Sequence, residues 1–196
     1  MTIIACLLSY ILGSVPNGLI WGKLIWHLDL REYGSHNIGA TNAWRILGKG
    51  PGIFIFVLDF LKGAFGAGLG LWLGGTPLAM VMAGLAAMLG HSFSLFMNFK
   101  GGKGVATGLG VIAMLMPLLT LVVFFVWLLI VLATGYVSLG SCIAAILVPI
   151  FAIISGQPAS YVLFGFLAAA FITVRHQDNI RRLLTGTENK ITAGRR

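Results

Sequence analysis

Apolar positions in this chain gather into long runs, and polar ones fill short stretches between them. Seven runs stand out: Ile3–Trp26, Gly52–Leu73, Leu78–Met97, Val105–Met116, Leu118–Thr134, Val137–Ile154 and Ser160–Val174. A helix needs about 20 apolar residues to cross the hydrocarbon core of a bilayer, where it must satisfy its own backbone hydrogen bonds. The fourth run is short, and Pro117 parts it from the fifth. It is expected to tilt or to cross only part of the bilayer. A single bent segment from Val105 to Thr134 would reduce the count to six. Within the first run, Gly13-Ser14-Val15-Pro16-Asn17-Gly18 predicts a kink at Pro16, with Ser14 and Asn17 at hand for the freed backbone groups. In the second run Asp59 and Lys62 stand three residues apart, on one helical face, and are expected to pair inside the bundle.

Composition agrees with the pattern. Of 196 residues, 58% are hydrophobic and 9% charged, far below the roughly one quarter charged in a soluble domain. The chain reads as a single integral-membrane domain over residues 1–196. Its net charge of +8 would ordinarily raise nucleic acid as a partner. Here the basic residues sit in short loops, so no nucleic acid is expected; the bilayer and phosphorylated ligands are. Arg31, Arg45 and Lys49 lie in residues 27–50, and Lys100 and Lys103 in 98–104. Arg175, Arg181, Arg182, Lys190, Arg195 and Arg196 lie in the tail, while 74–77 and 155–159 carry no charge. Seven spans place every basic stretch on one face; six would separate the tail from the loop at 27–50. The predicted fold is an all-α polytopic membrane protein with seven transmembrane helices, the N-terminus outside and the C-terminus cytoplasmic. The first run lacks a basic leader and is too long for a signal peptide, so it reads as the first span. Cys6 and Cys142 fall in apolar runs and are expected to be buried thiols.

The polar stretches carry the candidate chemistry. Phe99-Lys100-Gly101-Gly102-Lys103-Gly104 sets three glycines and two lysines before an apolar run. Close-approaching amides at a helix start make an anion site, so Lys100, Gly101, Gly102, Lys103 and Gly104 are expected to cradle a phosphate. The sequence from Gly34 to Lys49 concentrates hydroxyl, amide, imidazole and guanidinium groups: Gly34, Ser35, His36, Asn37, Thr41, Asn42, Arg45 and Lys49. A helix over 41–49 would align Thr41, Arg45 and Lys49, and Arg suits bidentate phosphate binding. His91 closes the third run; a lone histidine there fits a satisfied interior group as well as a catalyst. Ser138 and Ser141 open the sixth run, as helix caps or as substrate contacts. Arg175, His176 and Asn179 make a compact donor set at the end of the last run, with His176 and Asn179 on one face. The topology puts all these elements at one depth on one face. Such a pocket suits an anionic headgroup with an apolar tail.

Several alternatives fail on pattern. Gly104 follows Lys103 where a Walker A loop needs Ser or Thr. Asp29, Glu32, Asp59, Asp178 and Glu188 are the only carboxylates and form no dense cluster of the kind a dinuclear metal site needs. No His is followed five residues later by Asp. Neither Cys has an activating base nearby in sequence.

The motifs resemble those of the bacterial integral-membrane acyl-phosphate:glycerol-3-phosphate acyltransferases. The first is Gly34-Ser35-x-Asn37-x-Gly39-Ala40-Thr41-Asn42 with Arg45. The second is His91-x-Phe93-Ser94-x-Phe96 followed by Phe99-Lys100-Gly101-Gly102-Lys103-Gly104-Val105-Ala106-Thr107. The third is Arg175-His176-x-x-Asn179-Ile180-x-Arg182 with Gly186-x-Glu188-x-Lys190. His36 departs from the pattern, which often has Gly there, and so is a poor candidate for an essential base. The resemblance implies transfer of an acyl chain from acyl phosphate to the 1-hydroxyl of glycerol 3-phosphate, giving lysophosphatidic acid and inorganic phosphate. It implies a multi-pass protein of the cell (inner) membrane with the site on its cytoplasmic face, no cofactor and no protein partner. The donor anhydride is already activated, so no metal is expected.

On this reading the catalytic residues are Ser35, Arg45, Lys103, His176 and Asn179. Substrate contacts fall to Gly34, His36, Asn37, Thr41, Asn42, Lys49, Lys100, Gly101, Gly102, Gly104, Ser141 and Arg175. The base is either His176 or the donor's own phosphate, with the phosphate favoured because its second pKa lies near neutrality. The competing reading is a transporter or flippase for an organic phosphate or lipid.

Overall fold

The structure, a computed structural model, describes residues 1–192, so Arg195 and Arg196 lie outside the described residues. Among the described residues ten α-helices follow one another, most joined by short turns and two by longer loops at 27–39 and 93–104. They are α1 (Thr2–Ser14), α2 (Asn17–Trp26), α3 (Ala40–Leu47), α4 (Lys49–Leu69), α5 (Pro77–Ser92), α6 (Val105–Leu115), α7 (Pro117–Thr134), α8 (Val137–Ile154), α9 (Ala159–Arg175) and α10 (Gln177–Leu184).

Five segments are long and apolar enough to cross a membrane: Thr2–Trp26, Lys49–Gly74, Pro77–Met97, Pro117–Thr134 and Val137–Ile154. A sixth is obtained if α9 and α10, bent by 63° to each other, count as one. The remaining apolar helix, α6, has 11 residues, about 16 Å at the α-helical rise and about half of the hydrocarbon thickness. The sequence anticipated this short fourth run. Pro117, which cannot donate to a preceding turn, opens α7 instead of extending α6.

Pro16 does more than kink the first run. It separates α1 from α2, and the carbonyls at the break find distant partners. Val15 O accepts from Lys62 Nζ at 3.0 Å, and Ser14 O accepts from Ser94 Oγ. Ser14 and Asn17, expected to serve the break themselves, bond elsewhere: Ser14 Oγ to Tyr10 O and Asn17 Nδ2 to Asp59 Oδ1. The expected Asp59–Lys62 pair is present at 3.1 Å, both side chains 4% exposed.

The helix expected over 41–49 stops at Leu47. Gly48 adopts a φ of 104°, open to glycine but not to other residues, and α4 starts afresh at Lys49. Lys49 therefore leaves the face of Arg45 and is exposed.

The main core lies between α5, α6, α8 and α9, around Met88, Val111, Val148 and Phe164. Backbones approach closely where α4 crosses α6. A Cβ on Gly63 would sit 1.9 Å from Thr107 O, and one on Gly110 1.9 Å from Phe60 O. Small residues at helix crossings are how bilayer-spanning helices gain packing contact. By contrast α7 buries only Leu119, Thr120, Val123 and Val131 and turns its other faces outward.

Candidate active site

The loop before α3 is held rigid by one side chain. Asn42 Nδ2 donates to the carbonyls of Leu30, Tyr33 and Asn37 at 2.9–3.0 Å, and its Oδ1 accepts from Ser35 N–H at 3.0 Å. Asn42, expected as a substrate contact, spends its hydrogen bonds shaping this loop. The loop in turn presents Ser35 and Asn37. Asn37 caps α3 indirectly, its Oδ1 accepting from Gly39 N–H at 2.8 Å. His36 turns outward, with Nδ1 2.9 Å from Arg31 O.

The glycine-lysine turn behaves differently from the expected cradle. Gly101 N–H donates to Ser92 O and Gly102 N–H to His91 O, at 3.0 and 3.1 Å. These amides cap the last carbonyls of α5, which a helix end leaves unpaired, and so cannot hold an anion. Gly101 and Gly102 line neither cavity of the site, and Lys100 points away, exposed. Free amides lie three residues further on. Among the described residues, the N–H groups of Val105, Ala106 and Thr107 at the start of α6 have no backbone acceptor, and Val105 and Ala106 line the main cavity. Gly104, with φ of 81°, makes the turn into that helix. The sequence could not show this, because a Gly-Gly pair reads equally as cradle and as cap.

Lys103 reaches across the cavity and donates to Asn179 Oδ1. Asn179 Nδ2 donates to Glu188 Oε1 at 2.7 Å, Ser138 Oγ to the same oxygen at 2.8 Å, and Arg182 Nε to Glu188 Oε2 at 2.7 Å. Glu188 is thus a buried hub, its side chain 2% exposed. It appeared in the third motif but not among the expected site residues; its place in that motif, as one of two carboxylates in a basic tail, was its signal. Burial alone would raise its carboxyl, but the bonds from Asn179, Arg182 and Ser138 hold it below the usual range.

The stretch carrying Glu188 is anchored at both sides. Arg45 Nε and Nη2 donate to Lys190 O and Asn189 O at 3.1 and 2.6 Å, and Ile191 N–H donates to Gly135 O at 2.8 Å. His176 sits at the bend between α9 and α10. Its Nδ1 lies 2.8 Å from Ile172 O, which requires Nδ1 to carry the proton and leaves Nε2 as an acceptor facing the cavity. Arg175 Nη2 donates to Gly102 O at 3.0 Å, and its guanidinium lies 5.4 Å from the Phe93 ring centroid. Arg175 therefore braces the turn from outside.

Two joined cavities result. The main one, of about 160 Å³, begins among Ser35, Asn37, Thr41, Arg45, Lys103, Gly104, Ser141, His176, Asn179 and Glu188. It continues inward between apolar walls: Leu109 and Ile112 of α6, Val123, Phe124 and Trp127 of α7, Ala144 and Val148 of α8, Ala168 and Ile172 of α9. The second, of about 370 Å³, opens outward among Gly34, His36, Arg175, Asp178, Arg182 and Asn189. Ser35, Asn37, Arg45, Lys103, Asn179 and Glu188 border both. Lys49, Lys100, Gly101 and Gly102 border neither. Among the described residues no group of three or more His, Cys, Asp or Glu is placed to hold a metal ion.

Burial and the nearby Arg182, Arg175 and Arg45 push Lys103 down to about 8, with Glu188 opposing them. The sign follows directly: the charged ammonium, which attracts a phosphate, is lost as pH rises through that value. The second pKa of a phosphate monoester lies near 6, so the ligand does not change charge there. We expect the kcat/KM for a phosphate-bearing substrate to fall about tenfold per pH unit above about pH 8, since this ratio reports free-enzyme groups. In Lys103→Arg the alkaline limb should move out of range. A limb that persists unchanged in that variant would assign it to another group.

The fold and site together define a multi-pass helical membrane protein in which a cationic cup opens onto an apolar chamber. Residues 3–186 match the family model described as glycerol-3-phosphate acyltransferase. The chain belongs to that family. It is 45% identical over 191 residues to the glycerol-3-phosphate acyltransferase of Carboxydothermus hydrogenoformans, covering 97% of each chain. It is also 45% identical to glycerol-3-phosphate acyltransferase 2 of Bacillus anthracis, covering 97% of this chain and 100% of the relative. Its fold matches the crystal structure of PlsY, an integral membrane glycerol 3-phosphate acyltransferase, in its glycerol 3-phosphate form. The TM-score is 0.92 at 42% identity, over 96% of this chain and 94% of that one. The lysophosphatidic acid form of PlsY matches with a TM-score of 0.90 at 40% identity.

Proposed function

We propose that this protein transfers an acyl chain from acyl phosphate to the 1-hydroxyl of sn-glycerol 3-phosphate. The products are 1-acyl-glycerol 3-phosphate (lysophosphatidic acid) and inorganic phosphate. The observation that carries this reading is the pair of cation-lined compartments meeting at Arg45 and Lys103 above a single apolar chamber. Two phosphates and one acyl chain need such a site. Lys103 and the first amides of α6 hold the phosphate of glycerol 3-phosphate. Arg45, Ser35 and Asn37 face the donor phosphate, and the chamber between α6, α7, α8 and α9 takes the acyl chain.

The glycerol hydroxyl oxygen attacks the acyl carbonyl carbon while its proton is hydrogen-bonded toward His176 Nε2. The carbonyl oxygen gains charge as the tetrahedral centre forms, and preorganised donors stabilise it there. Collapse breaks the bond between the carbonyl carbon and the phosphate oxygen. The leaving phosphate keeps that electron pair and finishes with the proton.

The test uses purified protein, labelled glycerol 3-phosphate and no added metal, with palmitoyl phosphate, palmitoyl-CoA and palmitoyl-carrier protein offered separately. Lysophosphatidic acid should form from acyl phosphate alone. Product from the thioesters only would overturn the donor assignment. Absence of ester from every donor, with glycerol 3-phosphate crossing liposomes, would mark a transporter.

We further propose that α6 and α9 complete seven passes in the cell membrane, with the site face cytoplasmic. The basic residues of 27–50, 98–104 and 175–190 favour that side. Reporters fused at residues 75 and 157 should then report the outer face, and a cytoplasmic signal at either would refute the orientation.

A further inference from the structure

A second set of buried polar groups borders the main cavity through Asp59 and His91 and has no role in the chemistry proposed above. Asn17 opens α2, Asp59 and Lys62 lie on α4, and His91 lies in the last turn of α5, each less than a tenth exposed. Asp59 Oδ1 accepts from Asn17 Nδ2 at 2.9 Å and stands 3.1 Å from Lys62 Nζ. Lys62 Nζ also donates to Val15 O, the carbonyl freed by the break at Pro16. His91 Nδ1 stands 3.8 Å from the same carboxylate oxygen and has no hydrogen-bond partner of its own. Buried ion pairs are seldom more stabilising than apolar contacts of the same volume. This one joins α4 to the break between α1 and α2 and also lies against the end of α5.

The other edge of the imidazole faces the Gly101–Gly102 turn. A Cβ on Gly102 would lie 2.1 Å from His91 Nε2, and one on Gly101 2.0 Å from His91 O. The Gly102 N–H donates to the same His91 carbonyl. Ring and backbone of His91 together form the floor on which the turn rests, and Lys103 is the next residue. We propose that Asn17, Asp59, Lys62 and His91 are a positioning network, which fixes the Gly101–Gly102 turn and so aims Lys103 and the start of α6 at the phosphate of glycerol 3-phosphate. Asp59 sets its carboxylate beside the imidazole on the edge away from the turn, and Asn17 and Lys62 tie that carboxylate to the broken first helix. The inference rests on the reading of the cup as the phosphate site.

A double-mutant cycle tests it. Gly102→Ala drives a methyl group into the imidazole and should raise KM for glycerol 3-phosphate at least tenfold, with KM for acyl phosphate within twofold. His91→Ala removes the floor and should also raise KM for glycerol 3-phosphate. In Gly102→Ala/His91→Ala the new methyl enters the emptied space, so the second substitution should add no penalty. Fully additive penalties would overturn the proposal, since contacting groups couple and independent ones do not. The ion pair is tested by Asp59→Asn/Lys62→Met, which removes both charges at once and avoids an uncompensated one. It should fold and show KM for glycerol 3-phosphate raised about tenfold, with kcat within threefold. Wild-type KM in that folded variant would remove the pair from the network. If it does not fold, the histidine cycle alone decides. Lys103→Ala, assayed alongside, separates the two levels. Unchanged KM for glycerol 3-phosphate in that variant refutes the phosphate site itself, whatever the network does.

Discussion

Glu188→Ala should lose at least 1,000-fold in kcat/KM, roughly 4 kcal/mol at 1.4 kcal/mol per tenfold, and should lower the thermal midpoint in detergent by several degrees. One carboxylate accepts from Ser138, Asn179 and Arg182 in a buried position. Its removal leaves the Asn179 amide and the Ser138 hydroxyl unpaired, and an unsatisfied buried group costs about 1–3 kcal/mol. Asn179 then no longer presents its oxygen to Lys103. The cationic side chains around the cup, Arg45, Arg182 and Lys103, also lose their nearest counter-charge. Glu188→Gln keeps the shape but must turn an amide N–H₂ toward at least one donor. It should fold and show an intermediate loss. Wild-type kcat/KM in Glu188→Ala, measured on protein with native circular dichroism, would remove Glu188 from the site.

The second large effect is expected at Lys103. Lys103→Ala should cut kcat/KM for glycerol 3-phosphate about 100-fold, because a charge-assisted hydrogen bond contributes about 1.5–3 kcal/mol. The loss should appear chiefly in KM, since a phosphate away from the reacting carbon is held in ground and transition states alike. Lys103→Arg should recover part of the affinity, since charge is kept but the longer fork no longer fits Asn179 Oδ1. A loss confined to kcat would place Lys103 at the reacting carbonyl instead.

Much of the fold was legible because the bilayer simplifies the code. Apolar runs gave the helices, and Pro16, Pro117 and the Asp59–Lys62 spacing marked the first-run break, the division between α6 and α7, and a buried pair. The residues that meet in the cup were also readable as clusters: Ser35, Asn37, Thr41, Arg45, Lys103, Ser141, His176 and Asn179 all line the main cavity. What could not be read was how backbone groups were already spent. Gly101 and Gly102 look like free amide donors, yet they cap α5. Asn42 does border the main cavity, but its side chain is also bonded to four backbone groups of the loop, which the sequence did not show. Lys49 shares a helical period with Arg45 until Gly48 breaks the register. Glu188 was hardest, because its meaning depends on Ser138, 50 positions away in sequence, and nothing local to either residue hints at that pairing.

The outer wall of the apolar chamber is α7, which meets the cavity through Val123, Phe124 and Trp127 and shows its remaining faces to the surroundings. In a bilayer those surroundings are lipid tails. The α4–α6 crossing is locked backbone to backbone, whereas α7 buries few of its residues, so on the proposed reading α7 is expected to yield to an incoming chain more readily than that crossing. On the proposed reading, the lipid beside α7 then forms a deformable backing to the chamber, and the packing of that lipid is expected to influence how readily a chain is admitted.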